Sequence, residues 1–392
     1  MIIGFMRNHV TPTYVAKLTS LLSKSQGIDV IYMRPADVNV ASGTVKGKIY
    51  IDNKWTPIET ELPVFIDISP YCFKKKNIQI IQYLRENTFL SDDRKNTLNK
   101  RMLQNKLLED QRFSHLVIPT TKIEGDFARI EEFTHKYGKI VLKPIFGERG
   151  KGVYILKKKS KSYKLGINTH EERLNYDELK DFFETSLKNK GYIMQKYIAS
   201  RTMHGHPFDC RVHVEKDGRG KWVVARSFIR IGIGQKVISN VNQGGGIADL
   251  KPFLEANFGE KKGTIEKKIN HLASTLPYKI EELRNTHIMS LGMDVAIDEN
   301  GKLYLFEVNG APTTAPLKAE AVMLRTEYYK FILENIITDN LKKENEQFKA
   351  KYEIIEQQKN QFEKRYNDIK KSRSWLVTKP IRILGSALKR FK

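Results

Sequence analysis

The sequence predicts an α+β protein in parts: a small α/β unit over residues 1–97, a longer α+β section over 98–335, and a helical extension beyond. Three observations carry that prediction. Apolar strand-like runs at the start flank a helical pattern. The middle section is made of short strand-like runs broken by glycines and turns. From residue 336 to 371 glycine and proline vanish and a seven-residue repeat emerges.

The first part opens with an apolar strand, Met1–Met6, then a helical pattern near Tyr14–Leu22 and a second strand, Ile28–Met33. "GKIYIDNKWTPIE" alternates as a hairpin does, with Asp52-Asn53 as its turn, and "LPVFIDIS" (Leu62–Ser69) reads as a buried strand. A polar helical stretch, Asp92–Asp110, leads into the middle section. There the runs "KIVLKPI", "GVYILK", "YIMQKYI", "CRVHVE", "WVVARSFIRI", "MDVAI" and "LYLFEVN" alternate with two polar helices near Tyr176–Leu187 and Gly263–Leu276. That is a pattern of antiparallel hairpins, not a repeating βαβ array.

In the extension, Leu341, Phe348, Ile355, Phe362 and Ile369 fall at heptad position a; Tyr352 and Tyr366 fall at d, with Asn345 and Lys359 at the other d sites. A coiled-coil helix over 336–371 is expected, self-associating through 341–369; a long helix packed on its own domain is the alternative. The segment 372–392 is a basic amphipathic tail. Lys370–Lys392 holds eight Lys or Arg and no acid, interleaved with Trp375, Leu376, Ile381, Ile383, Leu384, Leu388 and Phe391, which suits an anionic membrane surface.

Composition narrows the function classes. Of 392 residues, 40% are hydrophobic and 10% aromatic, enough for a packed core, so wholesale disorder is excluded. The formal charge of +23 calls for an anionic partner or surface. Two cysteines, Cys72 and Cys210, exclude a disulfide framework and point to a reducing, cytoplasmic setting, peripheral at most to the inner membrane face. Five apolar residues before Arg7 are too few for a signal-peptide core. Charge alone suggests nucleic acid, but the chain carries no nucleic-acid-binding motif, and that partner is not expected.

The segment "LGMDVAIDENGKLYLFEVNGAPT" carries the chemistry. Its Asn300-Gly301 pair is the preferred centre of a two-residue type I′ hairpin. Counting outward from such a turn sets Asp294 opposite Glu307, with Asn309 two residues on and facing the same way. Two carboxylates and an amide oxygen so close call for a cation, and oxygen-only ligands suit Mg²⁺ sharing its shell with nucleotide phosphates. In "IVLKPIFGERGKGVYIL", Lys143 ends an apolar strand, and the backbone of Gly147, Gly150 and Gly152 is free to approach phosphate oxygens. Further on stand Asp209 and Arg211, then Arg226, Arg230, Asn240 and Gly244–Gly246, a supply of cations and amides suited to a triphosphate. The basic run Lys157–Lys164 reads as a solvated hairpin tip, His204 and His206 as exposed loop residues, and the cysteines as small packing residues.

Taken in order, the Lys-Pro strand, glycine loop, Gln-x-Tyr-Ile hinge, Asp-x-Arg, Arg–Asn pair and Asp…Glu-x-Asn hairpin over residues 98–335 resemble the ATP-grasp superfamily. The spelling is closest to the YheC/YheD-like spore-coat-associated branch and is also similar to ribosomal-protein glutamate ligases. The resemblance implies two α+β subdomains gripping ATP, a pre-ATP-grasp domain before them, two Mg²⁺ ions, and activation of a carboxylate as an acyl phosphate that an amine attacks. Carried over by position, Lys100 and Lys143 hold phosphates under the glycine loop, with Lys106 the alternative to Lys100 because Asn99 stands where the family has Asp. Gln195, Lys196 and Tyr197 meet adenine, Gln195 replacing the usual acid; Asp209 and Arg211 line the nucleotide and acceptor side, Arg211 as a catalytic residue with Arg230, and Asn240 binds the nucleotide. Arg230 stabilises the acyl-phosphate charge, and Asp294, Glu307 and Asn309 are the metal ligands. "SRSWLVTKPIRILG" (Ser372–Gly385) resembles the tail of bacterial polysaccharide-assembly glycosyltransferases, implying a ligase that joins an amine or amino acid to a glycan carboxylate. The alternatives are a peptide or amino-acid ligase on a soluble substrate, a phosphotransferase, and a non-catalytic coat or scaffold protein.

Overall fold

The computed structural model describes residues 1–123, 125–145, 152–167, 170–232, 245–378 and 380. The chain divides into two compact units, Met1–Ile332 and Leu333–Lys392.

The first sheet joins β1 (Ile2–Met6), β2 (Asp29–Met33), β3 (Val38–Asn39), β4 (Thr44–Ile51), β5 (Lys54–Glu61), β6 (Phe65–Ile68) and β7 (Phe89–Leu90) in the order β3-β4-β2-β1-β6-β7, with β5 on β4. Its centre is parallel, as helices α1 (Tyr14–Lys24) and α2 (Ile78–Asn87) require of their crossovers. The β4–β5 hairpin turns on Asp52 and Asn53, whose φ of 47° and 61° are those of a type I′ turn. Helix α3 is shorter than the sequence suggests, Lys100–Leu108, because Asn99 caps it by accepting a 2.9 Å hydrogen bond from the Met102 amide. The residues before it are tied down otherwise: Asp92 bridges to Ile288 and pairs with Arg284 at 2.6 Å.

The second sheet has the order β12-β11-β10-β9-β13-β8, from β8 (Thr120–Lys122), β9 (Lys139–Pro144), β10 (Tyr154–Lys158), β11 (Tyr163–Ile167), β12 (His170–Leu174) and β13 (Tyr192–Lys196). All its pairings are antiparallel, and α4 (Phe127–Tyr137) and α5 (Tyr176–Phe182) pack on one face over Ile140, Leu142, Leu156 and Leu165. The third sheet, β16-β15-β14-β17-β18, comprises β14 (Phe208–Lys216), β15 (Trp222–Ile231), β16 (Gly246–Asp249), β17 (Ser290–Ile297) and β18 (Leu303–Asn309). Its apolar face packs on α6 (Leu250–Phe258) and α7 (Lys262–Arg284) to form a core that holds Val212, Ile269, Leu276, Met293 and Leu305.

Helix α7 runs past the expected end at Leu276 and through Pro277 to Arg284. Leu272, Leu276 and Ile280 lie on one buried face, and their burial outweighs the roughly 3 kcal/mol that an internal proline costs. The final long helix, α8 (Lys318–Lys371), carries the heptad. Along it Tyr352, Ile355, Phe362, Tyr366 and Ile369 are exposed. The Leu341 and Phe348 side chains and most of the basic tail lie outside what is described. Among the described residues no helix is long and apolar enough to cross a membrane.

Candidate active site

Strand β14 shows how the sequence builds the site. Its residues alternate strictly: Phe208, Cys210, Val212 and Val214 enter the core, which turns Asp209, Arg211, His213 and Glu215 to the opposite face. On that face the antiparallel register sets Asp209 opposite Arg230 of β15 and Arg211 opposite Asp294 of β17. The side chains follow the register. Arg230 donates to Asp209 at 2.7 Å and reaches Asp294 at 3.0 Å, while Arg211 forks onto Asp294 from the other side through Nε and Nη2. Burial works against the Arg230 charge, but Asp209 and Asp294 outweigh it and hold the guanidinium protonated.

Asp294 does stand opposite Glu307, yet by a different route from a two-residue turn. Asp298 pairs with Lys302 around a three-residue loop, in which the Gly301 amide donates to the Asp298 carbonyl and Gly301 takes φ +73°. That loop shifts the register by one, and Val295 faces Leu305. A bulge at Phe306 then restores it, so that Phe306 and Glu307 both face the cleft while Val308 returns to the core side. Asn309 opposes Gly292, with its amide 3.4 Å from Asp294. Lys100, at the start of α3, lies 3.4 Å from Glu307. Lys106 instead pairs with Glu109 on the surface and does not line the cleft.

These residues line one cavity of about 1330 Å³ that all three sheets share. From the second sheet come Lys143 and Gln195: the Lys143 ammonium donates to Gln195 Oε1 at 2.8 Å, and Gln195 passes its own amide to Thr120 Oγ1 at 2.8 Å. Lys196 and Tyr197 line the cavity beside them. Of the glycine loop, Gly152 is described: its φ is +69°, and a Cβ there would stand 2.7 Å from the Tyr192 hydroxyl, so the position requires glycine. Gly147, Gly150 and Asn240 lie outside the described residues.

Burial pushes the Lys143 ammonium down to about 8, with Lys100 adding to the shift and Glu307 resisting it. A phosphate beside Lys143 favours the charged form, so nucleotide binding is expected to take up protons above about pH 8 and none well below it. Calorimetry in buffers of different ionisation heat measures this uptake. Lys143→Met should abolish it; uptake persisting in that variant assigns the proton elsewhere.

Two further groups are not evident from the sequence motifs: Asp67, on the cavity wall, and Glu215, behind Ser290 and Arg325, which line it. Glu215, fully buried, accepts from Arg325 at 2.8 Å, Ser290 at 2.9 Å and His213 at 2.7 Å. Asp67 of β6 holds Arg7 at 3.1 Å and the Tyr329 hydroxyl at 2.5 Å. The polar alternation of "DCRVHVE" already signals a cleft face that continues to Glu215, whereas nothing in the sequence joins Asp67 to Tyr329.

Asp294, Glu307 and Asn309 present oxygen donors only, the set a hard dication prefers. Among the described residues no three His, Cys, Asp or Glu side chains are arranged to hold a metal, so a Mg²⁺ held here would draw part of its shell from phosphate and water. Both cysteines are buried and free, and burial raises both thiols, Cys72 to about 11, which removes a thiolate nucleophile.

A family model described as YheC/D like ATP-grasp matches residues 93–337. The chain is 24% identical over 313 residues to the endospore coat-associated protein YheD of Bacillus subtilis (strain 168), spanning 76% of this chain and 67% of that one. It is 22% identical over 297 residues to YheC of the same organism, spanning 73% and 81%. Among solved structures, D-cycloserine synthetase DcsG is similar in fold, with a TM-score of 0.50 and 14% identity over 84% of this chain and 100% of that one. With that model covering more than half of its length, the chain belongs to the YheC/D-like ATP-grasp family.

Proposed function

We propose that the protein is an ATP- and Mg²⁺-dependent carboxylate–amine ligase working through an acyl phosphate. The observation that carries this reading is the convergence of Lys100, Lys143, Arg230, Asp294 and Glu307 in one cavity, with no activated nucleophile beside them among the described residues. Phosphoryl transfer of this kind needs positioning and charge neutralisation instead of a covalent side chain. Lys100 and Lys143 hold the phosphates, Gln195 orients Lys143, and Arg230, clamped between Asp209 and Asp294, presents a fixed cation to charge developing on the acyl phosphate. Mg²⁺, when bound at Asp294, Glu307 and Asn309, neutralises phosphate charge. The γ-phosphoryl passes to a carboxylate oxygen, leaving ADP; the amine nitrogen then bonds to the acyl carbon and phosphate departs with its C–O bond broken. We further propose that the carboxylate belongs to a cell-surface polysaccharide or its precursor, on the strength of the +23 charge and the basic tail.

Incubating the protein with Mg·ATP, uronic-acid oligosaccharides and hydroxylamine tests both levels. ADP release and a hydroxamate on the sugar are the expected products. Hydroxamate only on amino acids or peptides overturns the polysaccharide substrate, and ATP binding without turnover on any carboxylate overturns the ligase reading. The latter outcome favours a coat or scaffold role, the second reading, which the names of the two Bacillus relatives support.

A further inference from the structure

Lys139 of β9 stands directly opposite Lys157 of β10, Lys157 opposite Lys164 of β11, and Lys164 opposite Arg173 of β12. Four cations therefore form one row across four strands, on the face turned away from α4 and α5. Like charges set directly opposite one another destabilise a sheet. Among the described residues the acid beside the row is Glu171, 2.6 Å from Lys164, and Arg173 donates to the neutral Ser162 hydroxyl at 2.9 Å. Lys157 and Arg173 are exposed. The inner end is different: Lys139 sits 3.6 Å over the ring of Tyr197, a residue of the cavity wall, and burial, Arg201 and Lys157 together push its ammonium down to about 8. The row thus runs from the mouth of the cleft outward over the sheet. The basic run that reads in sequence as a solvated hairpin tip in fact splits: Lys159 and Ser162 make the tip, while Lys157 and Lys164 join the row.

We propose that this row is a binding track for a linear polyuronate, a sugar chain carrying one carboxylate per residue. Successive cations are one strand apart, on the order of 5 Å, close enough that each carboxylate of a chain lying along the row has a cation within reach. Single-stranded nucleic acid is bound through exposed aromatic platforms as well as cations, and among the described residues from 139 to 174 no large hydrophobic side chain is exposed. The track deepens the polysaccharide reading above and rests on it for the identity of the chain. It adds a hold on the polymer outside the catalytic cavity.

The test is binding of fluorescent oligogalacturonate to the full chain without nucleotide, so that its failure is separable from failure of ligase chemistry. Wild-type protein should bind, with affinity falling as salt rises, and should not bind the methyl-esterified oligomer. The K157Q/K164Q/R173Q variant should bind at least about tenfold more weakly, with a flatter salt dependence and unchanged ATP affinity. Binding of the esterified oligomer, undiminished binding by the variant, or tighter binding of single-stranded DNA or polyglutamate than of oligogalacturonate each overturns the proposal. The ester comparison needs no variant and stands even if the triple substitution impairs folding.

Discussion

Glu307→Ala is expected to abolish Mg²⁺-dependent nucleotide binding while leaving metal-free binding nearly intact. Glu307 and Asp294 are the two carboxylates of the proposed ligand set, and they differ in what else holds them. Asp294 is fixed between Arg211 and Arg230, whereas among the described residues Glu307 has one ion-pair partner, Lys100, at 3.4 Å. Removing Asp294 would release two guanidiniums, buried Arg211 and half-buried Arg230, and confound binding with folding; removing Glu307 frees one lysine that phosphate can occupy. Loss of residues that merely support metal ligands costs 10–100-fold in affinity, so loss of a ligand should cost at least about 100-fold. Calorimetry with ATP, with and without Mg²⁺, reads the effect. Equal metal dependence in variant and wild type would remove Glu307 from the site.

The largest effect on stability is expected at Arg325. Its guanidinium is the principal cation facing Glu215, a carboxylate with no exposure. Burial acts to raise the Glu215 carboxyl, but Arg325 first and then His213 outweigh it and hold it below its usual range. Arg325→Ala strands that charge, and breaking one partner of a buried pair costs about 3–5 kcal/mol. The pH dependence has a definite sign. In wild type the depressed carboxyl contributes stability above its unfolded pKa, lost as pH falls through the folded value. In the variant, burial without the arginine raises the carboxyl, so the contribution reverses: it is retained at low pH and lost as pH rises through the new folded value. The melting-temperature gap between wild type and Arg325→Ala should therefore narrow on acidification, and Arg325→Met/Glu215→Gln should recover much of the loss. A gap independent of pH would mean that lost packing, not the stranded charge, is responsible.

How much of this was legible in the sequence depends on the range over which each feature is fixed. Local chemistry was readable: the Asp52-Asn53 turn, the alternation along β14 and the order of strands and helices follow from neighbouring residues. The convergence of Asp294, Glu307 and Asn309 was readable too, though the intermediate step was not, since a two-residue turn without a bulge and a three-residue loop with one place Glu307 identically. Packing across long separations left no trace. Pro277 reads as a helix stop, and only the buried face of Leu272, Leu276 and Ile280 shows why α7 continues. The pairings Asp67–Tyr329 and Glu215–Arg325 join positions that no short pattern connects.

The hairpin's two irregularities have a consequence for how relatives of this chain are compared. Re-pairing the tip as a two-residue turn, with Glu299 against Lys302 and no bulge, would keep Asp294 against Glu307 but turn Leu303 and Leu305 out of the core and Tyr304 into it. A deletion at residues 299–301 with the bulge kept leaves a two-residue loop between Asp298 and Lys302 and every pair below it unchanged. Insertions and deletions in this segment should therefore fall in the loop or at Phe306, and an alignment that opens a gap within Leu303–Leu305 misassigns the core-facing residues even where both acids appear in register.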